Sequence, residues 1–336
     1  MRRRIAMYFA WDRSAEATAP LGVLDNRFPA LLEVRRLFWP HYEVLADPER
    51  YDQGIDGFLQ HIFLNNFRRF TQLARCWTEH AVRIFHRRSR AGEILLDPKW
   101  LAQIDTLIII SFDGPRSCQQ ASAAEVSAIR EFLDDPAHAL FVCPHHDIGD
   151  TWDVPVLERE GRRKAEFDHH GDKVIPGQQR FGGFARSLMS GLGLPIRNRF
   201  GLRPAKSDDG CPAAVEVASI DRHRLLAGVT TLNAHPHLPH FERLDGSREL
   251  LEVLVKQRID CSVPSHPFSA EGHSNFDAVL QATPEVAAGT LIVADATLWS
   301  SEAGGAESLE RLWRNVALAP AGAEQRWQRH PAGAHP

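Results

Sequence analysis

Histidine is the residue type on which most chemistry in this chain would turn: 17 occur among 336 residues, and several stand in tight groups. His145-His146-Asp147 sets two imidazoles beside a carboxylate. Near neutral pH an imidazole can serve as acid, base or hydrogen-bond donor, and a neighbouring carboxylate can orient it. His145 or His146 is therefore expected as a general acid or base, with Asp147 orienting it. His235-Pro236-His237-Leu238-Pro239-His240 is the second group. Its prolines forbid a helix and impose an extended path. Residues two apart in an extended chain face the same way, so His235 and His237 could meet one ligand or ion together. Imidazoles and carboxylates suit zinc and related divalent metals, and Asp147 or His169 could complete a shell begun by His235 and His237. Asp168 and Glu242 are further partners for such a shell. A polar site without metal and plain loop structure stand open beside that reading.

Two more groups are weaker. Asp168-His169-His170 resembles the Asp-His-His signature of a phosphoesterase family, but the partner aspartate motifs of that family do not occur upstream. Ser265-His266-Pro267-Phe268, with His273, precedes the last strand. No Gly-x-x-x-x-Gly-Lys loop is present and no Gly-x-Gly-x-x-Gly follows the first strand, so nucleotide binding has no support.

The bulk composition narrows the partners. A net charge of −4 offers no global field for nucleic acid or an anionic membrane. All but five of the 39 basic residues are arginine, a bias typical of a bacterial-type base composition. The five cysteines are scattered with no CxxC, no secretory leader is visible, and no window approaches the ~20 apolar residues of a membrane span. The expectation is a protein of the reducing cytoplasm acting on a small molecule, with homo-oligomers open.

The elements that must hold these groups read as alternating strands and helices. Ile5–Trp11, Val82–Phe85, Leu107–Phe112, Ala139–Cys143 and Gly289–Ala294 are apolar runs of strand length. Residues 28–39 and 57–77 carry helical spacing, and Ser122-Ala123-Ala124-Glu125 opens a helix with a capping-box pattern. Phe181–Leu192 and Ser308–Ala319 are further helices; residues 213–217 are a strand, and 250–257 could be either. This alternation predicts an α/β fold, a three-layer sandwich around a mostly parallel, flavodoxin- or Rossmann-like sheet. A single domain over 1–320 is expected. It carries a helical insertion at about 13–80 and a polar, lid-like excursion without periodicity at about 151–180, and residues 321–336 form a flexible tail.

Taken in order, these pieces resemble the class I glutamine amidotransferase-like superfamily, with ThuA-like and related non-classical members nearest. The carriers are Asp105–Ile110, the helix of Glu125, Ala139–Cys143, His223-Arg-Leu-Leu-Ala-Gly-Val229, Gly289–Asp295 and the helix bearing Leu312-Trp313-Arg314-Asn315. The resemblance implies a histidine site just after the strand of Cys143. It also places Cys143 where the amidotransferases carry a cysteine nucleophile. Here the chain departs from them. The next residue, Pro144, has no N–H for the oxyanion, the flanking glycines are replaced by Phe141 and His145, and Phe268 replaces the glutamate of a His-Pro-Glu motif.

The expected function is hydrolysis or elimination on a small polar, sugar-like or amide-like substrate by His/Asp acid–base chemistry, without a working cysteine nucleophile. His235 or His237 would supply a second polar group or a ligand to a divalent metal. The alternative is a non-catalytic module of the same fold that binds a ligand or a partner protein.

Overall fold

A computed structural model describes residues 2–18, 59–60, 64–113, 117, 119–145, 147–148, 154–170, 179–180, 182–302 and 304–319, with the backbone alone for 147–148 and 179–180. The expected helix at 28–39, part of that at 57–77, His146 and the tail at 321–336 lie outside these residues.

Nine strands form one mixed sheet. In chain order they are β1 (Ile5–Asp12), β2 (Arg83–Ser89), β3 (Gly92–Glu93), β4 (Thr106–Ser111), β5 (Ala139–Pro144), β9 (Glu216–Val217), β11 (Leu251–Arg258), β12 (Asn275–Ala282) and β13 (Thr290–Ala294). They lie in the order β3-β2-β1-β4-β5-β13-β12-β11-β9. The central run β2-β1-β4-β5-β13 is parallel throughout. The flanks β3 and β12-β11-β9 are antiparallel.

The apolar runs dictate this centre. Successive side chains of a strand point to opposite faces, so a strand with no polar positions needs cover on both. Met7, Phe9 and Trp11 enter one core while Ala6, Tyr8 and Ala10 enter the other. Ile108 and Ile110 part from Leu107 and Ile109 in the same way. Short helices α1 (Arg13–Ala17) and α7 (Ser247–Leu250) follow β1 and precede β11, respectively. The first core is closed by helices α2 (Arg68–Thr78) and α9 (Ala306–Leu318), where Phe70 meets Trp299 and Trp313 edge-on at 4.8 and 5.7 Å. The second is closed by α3 (Pro98–Leu101), α4 (Ala123–Leu133) and α6 (Gly183–Gly191). This is the expected three-layer α/β fold. The capping box of α4 forms in full, with Ser122 and Glu125 each satisfying the other's backbone N–H.

A four-stranded sheet of β6 (Asp147–Ile148), β7 (Gln179–Arg180), β8 (Ile196–Leu202) and β10 (Leu238–Arg243) lies beside the carboxyl end of β5, in the order β10-β8-β6-β7. The strand expected at 213–217 shrinks to the two residues of β9, and 251–258 resolves as a strand. Within the excursion expected at 151–180 stands a twelve-residue helix, α5 (Arg159–His170). Its buried positions are Glu166, His169 and His170, so its inward face is polar and an apolar periodicity could not reveal it. No helix among the described residues is long and apolar enough to cross a membrane.

Candidate functional site

Parallel strands bring the residues just past their carboxyl ends together. Val142 of β5 is level with Val293 of β13, so the residues that follow, Pro144-His145 and Asp295, leave the sheet side by side. His145 Nδ1 lies 3.3 Å from Asp295 Oδ2. The imidazole is fixed from several directions. Its backbone N–H donates to Ser111 O at 3.3 Å, Asn198 Nδ2 donates to its carbonyl, and the Phe112 ring stands 4.8 Å away. Asp295 caps the short turn Ala296–Trp299: its Oδ1 accepts from Thr297 N at 2.9 Å and Thr297 Oγ1 at 2.6 Å. That leaves Oδ2 for the imidazole. Burial alone would push this carboxyl up. The facing His145 and the Thr297 bonds more than reverse it, holding it below the usual carboxylate range.

From His145 a run of imidazoles in ring contact extends into the smaller sheet. Centroids are 5.9 Å apart for His145–His235, 5.5 Å for His235–His237 and 4.4 Å for His237–His170. They are 5.9 Å apart for His170–His169 and 5.2 Å for His169–His266. Different elements supply the members: the end of β5, the loop before β10, the last turn of α5, and the cap of a short helix α8 (Pro267–Ala270). Glu166, one turn back on α5, places Oε1 3.4 Å from His266 Nε2.

Burial keeps several of these rings neutral. It lowers His170 and His235 to about 4, lowers His237 well below the ordinary value, and lowers His169. The tautomers of two rings bear on the site. His169 Nδ1 donates to Pro264 O at 2.8 Å while Nε2 accepts from Arg203 N at 3.0 Å, so both nitrogens are engaged. His235 Nδ1 accepts the His237 N–H at 3.3 Å, so its neutral ring carries the proton on Nε2.

Half-buried His235 also lines a surface cavity of about 400 Å³, within the ~300–1,000 Å³ typical of small-molecule sites. Lys206, Glu302 and Pro236 share its wall.

Cys143 is fully buried at the end of β5 and turned into the first core, where its Sγ accepts from Trp299 Nε1 at 3.3 Å. Burial pushes the thiol up, away from the thiolate that nucleophilic attack requires.

Of the residues singled out from sequence, His145, His235, His237, His169 and His266 thus fall along one run of contacts. Asp168 ion-pairs with Lys164 at 2.5 Å on the outer side of α5. The backbone of Asp147 begins β6, and the carboxylate seen at His145 Nδ1 is Asp295. Among the described residues no three His, Cys, Asp or Glu side chains are grouped to hold a metal ion, and His169 has no ring nitrogen left to offer one. Sequence reasoning missed Asp295 and Glu166 and left His170, seen only in the weak Asp168-His169-His170 group, without a role. A signal existed for each: Asp295 follows its strand as His145 follows β5, and Glu166, His169 and His170 carry helical spacing in polar residues. No protein-family model and no curated protein matches the chain.

Proposed function

We propose that the chain is an enzyme of acid–base type, cleaving a small polar, sugar-like or amide-like substrate by hydrolysis or elimination. His145 is the acid–base group and Asp295 orients it and balances the imidazolium, the part the sequence reading gave to Asp147. His235, which lines the cavity, meets the substrate there as a neutral imidazole. The single observation that carries this reading is the His145–Asp295 contact at the carboxyl ends of adjacent parallel strands, with His235 joining it to a cavity of ligand size. A 3.3 Å separation is long for a hydrogen bond, as is common for catalytic contacts before substrate tightens them. Buried, Trp299-bonded Cys143 and its proline neighbour argue against thiol chemistry. The order of strands and helices supports the likeness to ThuA-like members of the glutamine amidotransferase-like superfamily, which would bring a histidine just after the strand of Cys143.

The test is turnover by the purified protein on a panel of glycosides, lactones, esters and primary amides. On any substrate turned over, His145→Asn and Asp295→Asn are expected to lower kcat about 10²–10⁴-fold. Retained activity in His145→Asn would overturn the assignment. A folded wild type that binds panel members and turns over none would instead favour the binding module.

A further inference from the structure

We infer that Asn233 and Thr297 are positioning residues, a two-side-chain brace that locks the Asp295 carboxylate to the backbone of His235. The inference rests on the acid–base reading above, since it concerns the alignment of that site. Thr297 Oγ1 donates to Asp295 Oδ1 at 2.6 Å and accepts from Asn233 Nδ2 at 3.0 Å. Asn233 Oδ1 in turn accepts the His235 N–H at 3.1 Å.

The polarity of this path is fixed at each step. A hydroxyl has one proton, and an ionised carboxylate can only accept it, so the Thr297 oxygen must meet a donor on its other side. The amide of Asn233 supplies that donor and leaves its carbonyl for a backbone N–H. Flipping the amide would set oxygen against oxygen and N–H against N–H. Asn233 is wholly buried, and its backbone carbonyl accepts from Gln257 Nε2 at 3.2 Å. Each end of the brace therefore moves only with the other.

A simple cap on the turn after β13 needs Thr297 alone. The Asn233 link adds what a cap does not require: it ties β13 of the large sheet to the loop that enters β10 of the small one. A site assembled from two sheets needs such a tie, because displacements of a fraction of an ångström between reacting groups are costly in rate. The titratable groups that interact electrostatically with Asp295 are His145 just past β5, His235 from the loop and, from the core side, the buried Cys143 thiol.

The experiment is a pH titration of the histidine rings by ¹⁵N NMR in Thr297→Val, Thr297→Ser, Asn233→Ala and the Thr297→Val/Asn233→Ala double variant of the full chain. Thr297→Val should displace the ring ¹⁵N signals of both His145 and His235 at neutral pH, and Thr297→Ser should restore both. In the Asn233→Ala background the effect of Thr297→Val on His235 should shrink to what Asp295 transmits directly across space. An unmoved His235 in Thr297→Val overturns the brace, as does an equal shift with and without Asn233. The valine and serine variants decide the question by themselves if Asn233→Ala fails to fold. Where turnover is available, Thr297→Val and Asn233→Ala should lower kcat about tenfold and leave KM within about twofold. Failure of the acid–base reading would show as activity in His145→Asn and would leave the NMR coupling intact, so the two failures are separable.

Discussion

Lowering the pH from 7.5 to 5 should destabilise this protein through its buried imidazoles, and the size of the loss follows from where they sit. His170 is enclosed, donates Nε2 to Gly201 O, and is lowered to about 4; His235 is lowered to the same value. In the unfolded chain both titrate near ~6.5. A group whose folded value is the lower one leaves the unfolded state holding more protons between the two values, so stability falls as pH falls through that window. At pH 5 enclosed His170 contributes a loss of about 2 kcal/mol, and half-buried His235, partly screened by solvent, a smaller one in the same direction. His237, His169, His223 and His240 are lowered too and act in the same direction. The carboxylates Asp295, Asp105 and Glu125 have the opposite window. Held below their ordinary values, they stabilise the fold above the unfolded carboxylate range and lose that only as the pH drops beneath it. Between 6.5 and 5 the histidines therefore act alone. A loss of this size is a large part of a typical domain stability of ~5–15 kcal/mol. Urea unfolding at pH 7.5, 6 and 5 measures it. His170→Gln keeps a donor for Gly201 O and cannot titrate, so its fall across the same range should be smaller by about 2 kcal/mol. A flat wild-type profile, or a His170→Gln profile parallel to it, refutes the burial argument.

Three further outcomes follow from the end of β5. Cys143→Ala removes the acceptor of the Trp299 indole and should cost about 1–3 kcal/mol in unfolding, while any turnover stays within a few-fold of wild type. Under a thiol reagent, exposed Cys76, Cys211 and Cys261 should label in the native protein and Cys143 only on unfolding; native labelling of Cys143 would contradict its burial. Gly182 stands at φ +76°, and a Cβ there would fall 2.6 Å from Pro144 Cβ. Gly182→Ala should therefore destabilise by about 2–4 kcal/mol and displace the His145 ring signals, since Pro144 leads directly into His145; a silent substitution would show that this contact does not position the site.

What was legible in the sequence was whatever obeys a local rule. Ile5–Trp11, Leu107–Phe112 and Gly289–Ala294 read as strands because sheet burial on both faces leaves no polar position, and the Ser122/Glu125 capping box read as a helix start because its chemistry lies within one turn. β8 and β12 were not read. Ile196-Arg-Asn-Arg-Phe-Gly-Leu202 and Asn275-Phe-Asp-Ala-Val-Leu-Gln-Ala282 mix polar residues into the run, and pairing with distant strands decides them. The His-Pro-His segment was legible as an extended path that turns two imidazoles one way. Its neighbours on α5 were not, because that helix buries polar residues and leaves no apolar stripe.

That inversion bears on the function itself. A helix that only had to cover the smaller sheet would be more stable with leucine or methionine at positions 166, 169 and 170, because neutral burial of an imidazole or pairing of a buried carboxylate gives little net stabilisation over an apolar contact. The chain instead places Glu166, His169 and His170 there, against His266 and His237, and continues the ring contacts to His145 and Asp295. Proteins sit close to their stability threshold, and a costly polar cluster concentrated at one edge of a sheet is the pattern expected where a site, rather than packing, sets the residue types. The same reasoning separates His145 from Cys143. Both stand at the end of β5, but one faces carboxylate and imidazoles beyond the strand ends, whereas the other is sunk among Phe141, Trp299 and the rest of the apolar core.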